Sequence, residues 1–341
     1  MSTRRPLLCI DLTAEEMTGI EVIGSRVKHW FTHELLPGSI AGGVPTDAKR
    51  LAGQLRTSLA TAGITARRAR VTISDAALLT RIVHVPRMPS RDLSRAASYA
   101  AERELPIAAA QRVWSWKKVK GSDGSAAILL IAGWRDALDR VQAAIESAGL
   151  EVEFIESRSV ALSRSIARDR ALVIELSAGT VRATAIAKGQ VPTSMHAKAP
   201  ENGDGWADVI QPILLSARRQ VGKRGEDLPV LITQGLERAM PEAIWARPVG
   251  TALALHGLQV PPELSVHRYL APIGLALANG DDVRLRAPAA RNQPAKRRVS
   301  LAHGGNRWVP GLAILSLVSW TTAAAGAAVL FGWHPFWPLA P

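Results

Sequence analysis

This sequence contains few residues whose types and spacing could carry out chemistry. His29 and His33 lie four positions apart, a spacing that would place two imidazoles on one face of a helix and could hold a metal ion. The surrounding apolar alternation predicts a strand, in which this spacing does not converge, so we expect two exposed polar residues and no metal site. The sequence contains neither a serine-hydrolase elbow nor a phosphate-cradling P-loop. We therefore assign no catalytic residue.

The elements that must position any site begin with an ordered group of apolar patterns. Strands are predicted over Leu7–Asp11, Gly19–Ile23 and His29–Leu35, followed by a helix over Thr46–Ala62 and a strand over Val71–Ser74. Apolar residues recur every fourth position along the helix, and a glycine follows its end. The order is β-β-β-α-β.

The same order recurs about 160 residues later. Strands are predicted over Leu172–Leu176, Val181–Ala187 and Pro192–Ala197, then a helix over Trp206–Val221 and a strand over Pro229–Thr233. Two such units are what actin, the sugar kinases and the heat-shock chaperones repeat around a nucleotide cleft. The pattern therefore predicts an α/β, actin-like (ASKHA) duplicated fold within residues 1–280.

Between the two units lies a block that reads as an inserted α+β subdomain, over about 78–155. Its predicted elements are a strand, a helix, two strands and a second helix: Leu78–Val85, Ser90–Glu104, Val113–Trp116, Ala126–Ile131 and Trp134–Ala148.

The C-terminal part has a different character. The segment Val309–Trp333 runs for about 25 residues without a charged side chain. As a helix it would measure about 37 Å, enough to cross a hydrocarbon core of about 30 Å with moderate tilt. Interfacial tryptophans, Trp308 and Trp333, flank it. We predict a transmembrane helix over 308–334 and a short extracytoplasmic tail over 335–341; a buried soluble helix is the alternative.

Charge predicts the orientation of this span. The linker over 281–307 carries seven Lys and Arg residues after Asp282 and no acidic residue there, whereas nothing beyond the span is charged. The positive-inside bias then places the N-terminal domain in the cytoplasm and the protein in the inner membrane as a single-pass protein. The net charge is +13, but seven of the positive charges lie in this linker, where attraction to anionic headgroups explains them, so we predict no nucleic-acid partner. The apolar run before Asp11 is too short for a signal peptide.

The lone cysteine, Cys9, excludes an intrachain disulfide and is expected to be a buried strand residue.

Small residues recur along the predicted span. Ser319, Ala323 and Ala327 repeat every fourth position, and Thr322 and Gly326 do the same, which would let another helix approach closely. We predict transmembrane packing through Ser319, Ala323, Gly326 and Ala327. An alanine-rich composition that produces such spacings by chance is the alternative.

The inserted block carries a resemblance to a known family. The stretch Leu79–Pro89, then Leu93, then Glu102–Ile107 resembles the PilM family of type IV pilus assembly proteins, which are actin-like and related to the cell-division protein FtsA. Ile273–Ala278 is similar to the closing helix of that family. The resemblance covers roughly residues 5 to 280.

The resemblance implies partners. In that family the soluble protein docks onto the cytoplasmic N-terminal peptide of PilN, so PilN- and PilO-like inner-membrane subunits are expected, with an assembly ATPase and a second copy as further partners. Arg81, Arg87 and Glu102 are candidate contacts, with ordinary surface charge as the alternative. Val283–Pro288 is similar to a degraded docking segment placed before the span, much as in the GspL component of type II secretion. Because only about eight residues follow the span, a partner is expected to supply any periplasmic function.

The family pattern also implies a nucleotide site, from which this sequence departs. The first phosphate loop of the family has an Asp at the strand end, a Gly two residues later and then a Lys. Here Asp11 is kept, but Thr13 stands in place of Gly, and Glu15 and Glu16 add negative charge that repels phosphate.

The other two loops depart as well. The second, Asp-x-Gly in the family, reads Glu175-Leu176-Ser177, with Gly179 as a partial substitute. The adenosine-side turn, Gly-Gly in the family, reads Thr233-Gln234-Gly235 here, so only one glycine is kept. We predict that ATP turnover is lost and that no cofactor is required; weak nucleotide binding at Asp11, Glu175, Gly179 and Gly235 is the alternative.

The sequence therefore predicts a non-enzymatic, membrane-anchored cytoplasmic scaffold of a type IV pilus or type II secretion-like machine, linking its cytoplasmic motor to inner-membrane subunits. The alternatives are a membrane-tethered ATPase or kinase of the same superfold, and a cell-division anchor resembling FtsA. The degraded loops argue against the first. The second normally binds membranes through a peripheral amphipathic helix rather than an apolar span.

Overall fold

A computed structural model describes residues 5–120, 126–177, 179–188, 190–200, 205–222, 227–233, 246–279 and 285. Within these ranges no helix is both long enough and apolar enough to cross a membrane. The predicted span over 308–334, with its packing residues Ser319, Ala323, Gly326 and Ala327, lies outside them.

The described strands and helices follow in chain order: β1 (Leu7–Leu12), β2 (Glu16–Ile23), β3 (Arg26–Glu34), β4 (Ile40–Ala41), β5 (Val44–Pro45), α1 (Ala48–Thr61), β6 (Arg68–Ile73), β7 (Leu78–His84), α2 (Ser90–Glu104), β8 (Arg112–Lys120), β9 (Ala126–Trp134), α3 (Arg135–Ser147), β10 (Glu151–Ser157), α4 (Arg158–Arg164), β11 (Arg170–Ser177), β12 (Thr180–Ala187), β13 (Thr193–Lys198), α5 (Trp206–Val221), β14 (Val230–Ile232), β15 (Ala246–Pro248) and α6 (Leu270–Ala276). The elements predicted within the described residues are confirmed to within a few residues at their ends.

Two five-stranded sheets have the same topology. Their strand orders are β10-β6-β1-β2-β3 and β15-β14-β11-β12-β13. In each, the first three strands of the unit are antiparallel neighbours and the last two run parallel to the first. The duplicated β-β-β-α-β prediction is confirmed, and the topology is actin-like.

The first sheet is covered by helices that the hydrophobic pattern predicts. Helix α1 begins at the N-cap Asp47, whose carboxylate accepts from the Arg50 N–H at 3.0 Å. Its buried residues Leu51 and Leu55 pack against the sheet together with Leu138 of α3. Ala161 of α4 and Ile273 of α6 pack on the opposite face with Cys9. Because both faces are covered, Leu8–Leu12 of β1 is buried throughout.

The inserted block divides into two parts. Strands β7, β9 and β8 form a separate antiparallel sheet in that order, and α2 packs on one face of it. In contrast, α3 packs in the core of the first sheet, and β10 is a strand of that sheet. The separate subdomain therefore spans residues 78–134, while 135–157 return to the first half.

The chain after α6 contacts the fold again at Leu285. This residue forms an antiparallel bridge with Ile155 of β10, with N–H···O distances of 2.8 and 2.9 Å. Its side chain is 1% exposed and belongs to the core of the first sheet. Part of the stretch predicted as a docking segment is thus packed against its own domain.

Candidate functional site

The candidate site lies where the first strands of the two halves end. Asp11 is the penultimate residue of β1, and Glu175 lies two residues before the end of β11. Both carboxylates are buried, so each needs a partner to remain ionised. The matching positions in the two repeated units bring them to a common cleft.

Arg158 joins these two carboxylates. It is the first residue of α4, whose N-cap Ser157 accepts from the Val160 N–H. The Arg158 Nε donates to Asp11 Oδ2 at 2.9 Å, while Nη1 and Nη2 donate to the two oxygens of Glu175 at 2.8 and 2.9 Å. Thr72 Oγ1 donates to the other oxygen of Asp11 at 2.6 Å. The planar guanidinium therefore bridges the halves, with a bidentate bond on one side.

The charges of this cluster are mutually stabilising. Burial alone raises the pKa of Glu175, but the adjacent Arg158 outweighs it and the net pKa lies below the ordinary value. Burial alone lowers the pKa of Arg158, yet Asp11 and Glu175 together raise it well above its ordinary value. Glu175 and Arg158 therefore remain charged at neutral pH.

A second ion pair links the halves at the mouth of the cleft. Arg182 of β12 donates through Nη1 to Glu15 Oε2 at 2.7 Å. Burial raises the pKa of Glu15, but Arg182 reverses the effect and the pKa is lowered. The neighbouring His196 has a pKa lowered by burial and then by Arg182, so its imidazole is neutral at pH 7. Glu15, an additional carboxylate in the first turn, is thus the ion-pair partner of Arg182 in the second half.

In the first turn, after β1, Thr13 and Glu16 form hydrogen bonds with each other. Thr13 Oγ1 donates to the Glu16 carbonyl at 2.9 Å and accepts from the Glu16 N–H at 3.1 Å. The Thr13 N–H also donates to that carbonyl at 3.0 Å. Two backbone N–H groups that a phosphate would need are already occupied.

These features leave a small cleft. Its volume is about 230 Å³, and Thr13, Glu15, Arg158, Arg182 and His196 are among its lining residues. A magnesium nucleotide does not fit this arrangement, because Asp11 and Glu175 already bind the Arg158 guanidinium and the Thr13 and Glu16 N–H groups of the first turn are already bonded. No group of three or more His, Cys, Asp or Glu residues in the described part of the chain could hold a metal ion.

The other predicted site residues are spread over the molecule. Gly179 has φ 78° in the turn between β11 and β12, a conformation that favours glycine, and its carbonyl accepts from the Ala199 N–H. Gly235 lies outside the described residues. Arg81 is on β7, Arg87 is exposed after β7, and Glu102 of α2 pairs with the buried Arg112.

Sequence reasoning missed the two arginines of the cleft. Arg158 is separated by 147 positions from Asp11 and by 17 from Glu175, and Arg182 by 167 from Glu15. The only local signal was a basic residue directly after a strand and a serine cap. That signal does not identify its partners.

Cys9 is buried as predicted, and burial raises the pKa of its thiol to about 12. It is therefore a structural residue rather than a nucleophile.

Comparison with known proteins identifies solved structures that share this fold. No protein-family model and no curated protein sequence matches the chain. The chain is similar to the solved structure of a PilM–PilN type IV pilus biogenesis complex, with 18% identity and a TM-score of 0.61 over 80% of this chain and 98% of that one. This likeness shows a shared fold, in agreement with the actin-like topology.

Two further structures are similar at lower scores. One is the cytoplasmic domain of EpsL, an inner membrane component of the type II secretion system of Vibrio cholerae, with 14% identity and a TM-score of 0.49 over 81% of this chain and 97% of that one. The other is the ethanolamine utilization protein EutJ from Carboxydothermus hydrogenoformans, with 12% identity and a TM-score of 0.42 over 80% and 90%.

Proposed function

We propose that this protein is a non-enzymatic scaffold of a type IV pilus or type II secretion-like assembly machine. In this proposal the actin-like domain is cytoplasmic, a helix over 308–334 anchors it in the inner membrane, and PilN- or PilO-like subunits are its partners. Two features support it: the fold likeness to PilM, and the resemblance of Leu79–Ile107 to the PilM family.

The observation that carries the non-enzymatic part is the position of Arg158. An ATPase or kinase of this superfold would need the carboxylates at the ends of β1 and β11 for a metal and its nucleotide. Here Asp11 and Glu175 already bind one guanidinium through three hydrogen bonds. Displacing it would leave a buried arginine uncompensated, which costs several kcal/mol.

Calorimetric titration of the full chain, purified in mild detergent, with Mg-ATP tests this part. We expect no binding heat at millimolar nucleotide and no phosphate release. Micromolar affinity would overturn the nucleotide-free proposal and favour a membrane-tethered ATPase.

Site-specific photo-cross-linking in native membranes tests the scaffold part. A photoreactive amino acid at Arg87 or Glu102 is expected to capture pilus or secretion inner-membrane subunits, and the same group at the exposed Lys28 of β3 serves as the control. Capture of cell-division proteins instead would favour the FtsA-like alternative.

A further inference from the structure

A groove of about 1270 Å³ lies between the inserted subdomain and the second half of the fold. One wall is the face of β7 opposite α2, formed by Leu78, Thr80, Ile82 and His84. The other wall is formed by residues 188 and 190–194, which lie between β12 and β13 and at the start of β13, and by the end of α5. The volume exceeds the range of about 300–1,000 Å³ that is usual for small-molecule sites, which favours a peptide segment.

Both walls end in open sheet edges. Among the described residues, β7 pairs only with β9, and β13 pairs only with β12. An edge strand presents unpaired N–H and C=O groups that can pair with an added strand. An extended backbone is therefore the ligand shape that such a groove satisfies.

The side chains of the groove determine which side chains the added strand should carry. Ile82 is 42% exposed, and Leu78, Val191 and Pro192 add further apolar surface. Arg81 and Lys188 contribute positive charge, while the opposing Asp75 already accepts from the hydroxyls of two serines.

The two basic groups are available to a ligand. Arg81 donates only to the adjacent Thr80 carbonyl among the described residues. Lys188 pairs with Asp169 at 3.1 Å, but both side chains are more than three-quarters exposed, and such a pair contributes little.

We propose that this groove binds an extended segment of another protein, in which apolar and acidic side chains alternate, by strand addition between β7 and β13. The alternation directs one set of side chains toward Ile82 and Val191 and the other toward Arg81 and Lys188. The chain's own linker over 281–307 is strongly basic and would be repelled. The inference rests on the proposed scaffold function, because it names the chemistry of the segment that a partner subunit would offer.

Fluorescence anisotropy on the full chain in mild detergent tests the inference. The probe is a labelled hexapeptide that alternates glutamate and valine, compared with a version containing lysine in place of glutamate and with one N-methylated at alternate amides. We expect saturable binding of the first peptide alone. The double variant Arg81→Glu/Lys188→Glu should weaken it by about tenfold or more.

Arg91→Glu/Arg103→Glu on the exposed face of α2 is the matched control and should bind as the unmodified protein does. Equal binding of the lysine peptide, equal binding of the methylated peptide, unchanged binding by the groove variant, or no binding at all would each overturn the inference. None of these outcomes bears on nucleotide binding or on cross-linking at Arg87, so failure of the groove is distinguishable from failure of the scaffold proposal.

Discussion

At the scale of single residues, Arg158 decides the chemistry of the cleft. A buried carboxylate without a partner is costly, and two of them facing each other would be costlier still. The guanidinium compensates both at once, since its three donor groups match one oxygen of Asp11 and both oxygens of Glu175. The same contacts occupy both carboxylates at the positions where the family pattern has the aspartates of its two phosphate loops.

Replacing Arg158 should therefore lower the stability of the folded protein. We expect Arg158→Met to lower the free energy of unfolding by about 3–5 kcal/mol, because Asp11 and Glu175 are left buried and unpaired. Urea unfolding of the full chain in detergent, followed by circular dichroism, measures the change. Arg103→Met, which removes an exposed pair with Glu104, should change it by less than about 1 kcal/mol. Equal effects of the two variants would contradict the buried bridge.

The lowered pKa of Glu175 leads us to expect a loss of stability in acid. Its folded pKa lies below the ordinary value of 4.5, so its contribution is complete above that pH and is lost as the pH falls through the folded pKa. We expect thermal stability to decline below about pH 4.5, and Glu175→Gln to show a shallower decline from a lower starting value. Glu15, whose pKa is also lowered, acts in the same direction, so the decline should not vanish. Parallel profiles for the two proteins would argue against an ionised Glu175.

At the scale of elements, two short helices approach each other very closely. A Cβ atom at Gly274 of α6 would lie 1.7 Å from the Ala161 carbonyl oxygen of α4. Arg164 at the end of α4 fixes the contact further, donating to the Gly274 carbonyl at 3.1 Å and to Glu156. The helix that carries Arg158 is thus held in place from α6.

Gly274→Ala should separate α4 from α6. Because backbone must move to accept the methyl group, we expect a loss of at least about 1–3 kcal/mol in the free energy of unfolding. Gly53→Ala in α1 is the contrasting variant, since open space surrounds that position, and it should stabilise by about 0.5–1 kcal/mol. Thermal unfolding of both variants decides the point; a tolerated Gly274→Ala would mean that the helices can slide apart without cost.

At the scale of the whole molecule, charged bridges across the cleft join the two halves. Arg158 connects β1, α4 and β11, and the pair of Glu15 and Arg182 lies at the mouth. Leu285 then ties the chain beyond α6 back to β10.

Leu285 should count as part of the folded core. We expect Leu285→Ala to lower the free energy of unfolding by about 2–5 kcal/mol, since its side chain is 1% exposed. Leu36→Ala, at a leucine that is 58% exposed, should change it by less than about 0.5 kcal/mol. The comparison is made by urea unfolding, and a neutral Leu285→Ala would show that the bridge to Ile155 does not stabilise the fold.

The sequence by itself determined the elements and their duplicated order, because apolar periodicity and capping act over a few neighbouring residues. Helix α5 falls on the predicted Trp206–Val221, and the leucines of α1 are buried as their spacing requires. It also singled out Asp11 and Glu175, because both lie near the ends of equivalent strands. The pairing of both with Arg158, the return of α3 and β10 to the first sheet, and the burial of Leu285 were decided only by the tertiary structure. Each joins groups far apart in the chain, and charge or hydrophobicity at one position does not specify a distant partner.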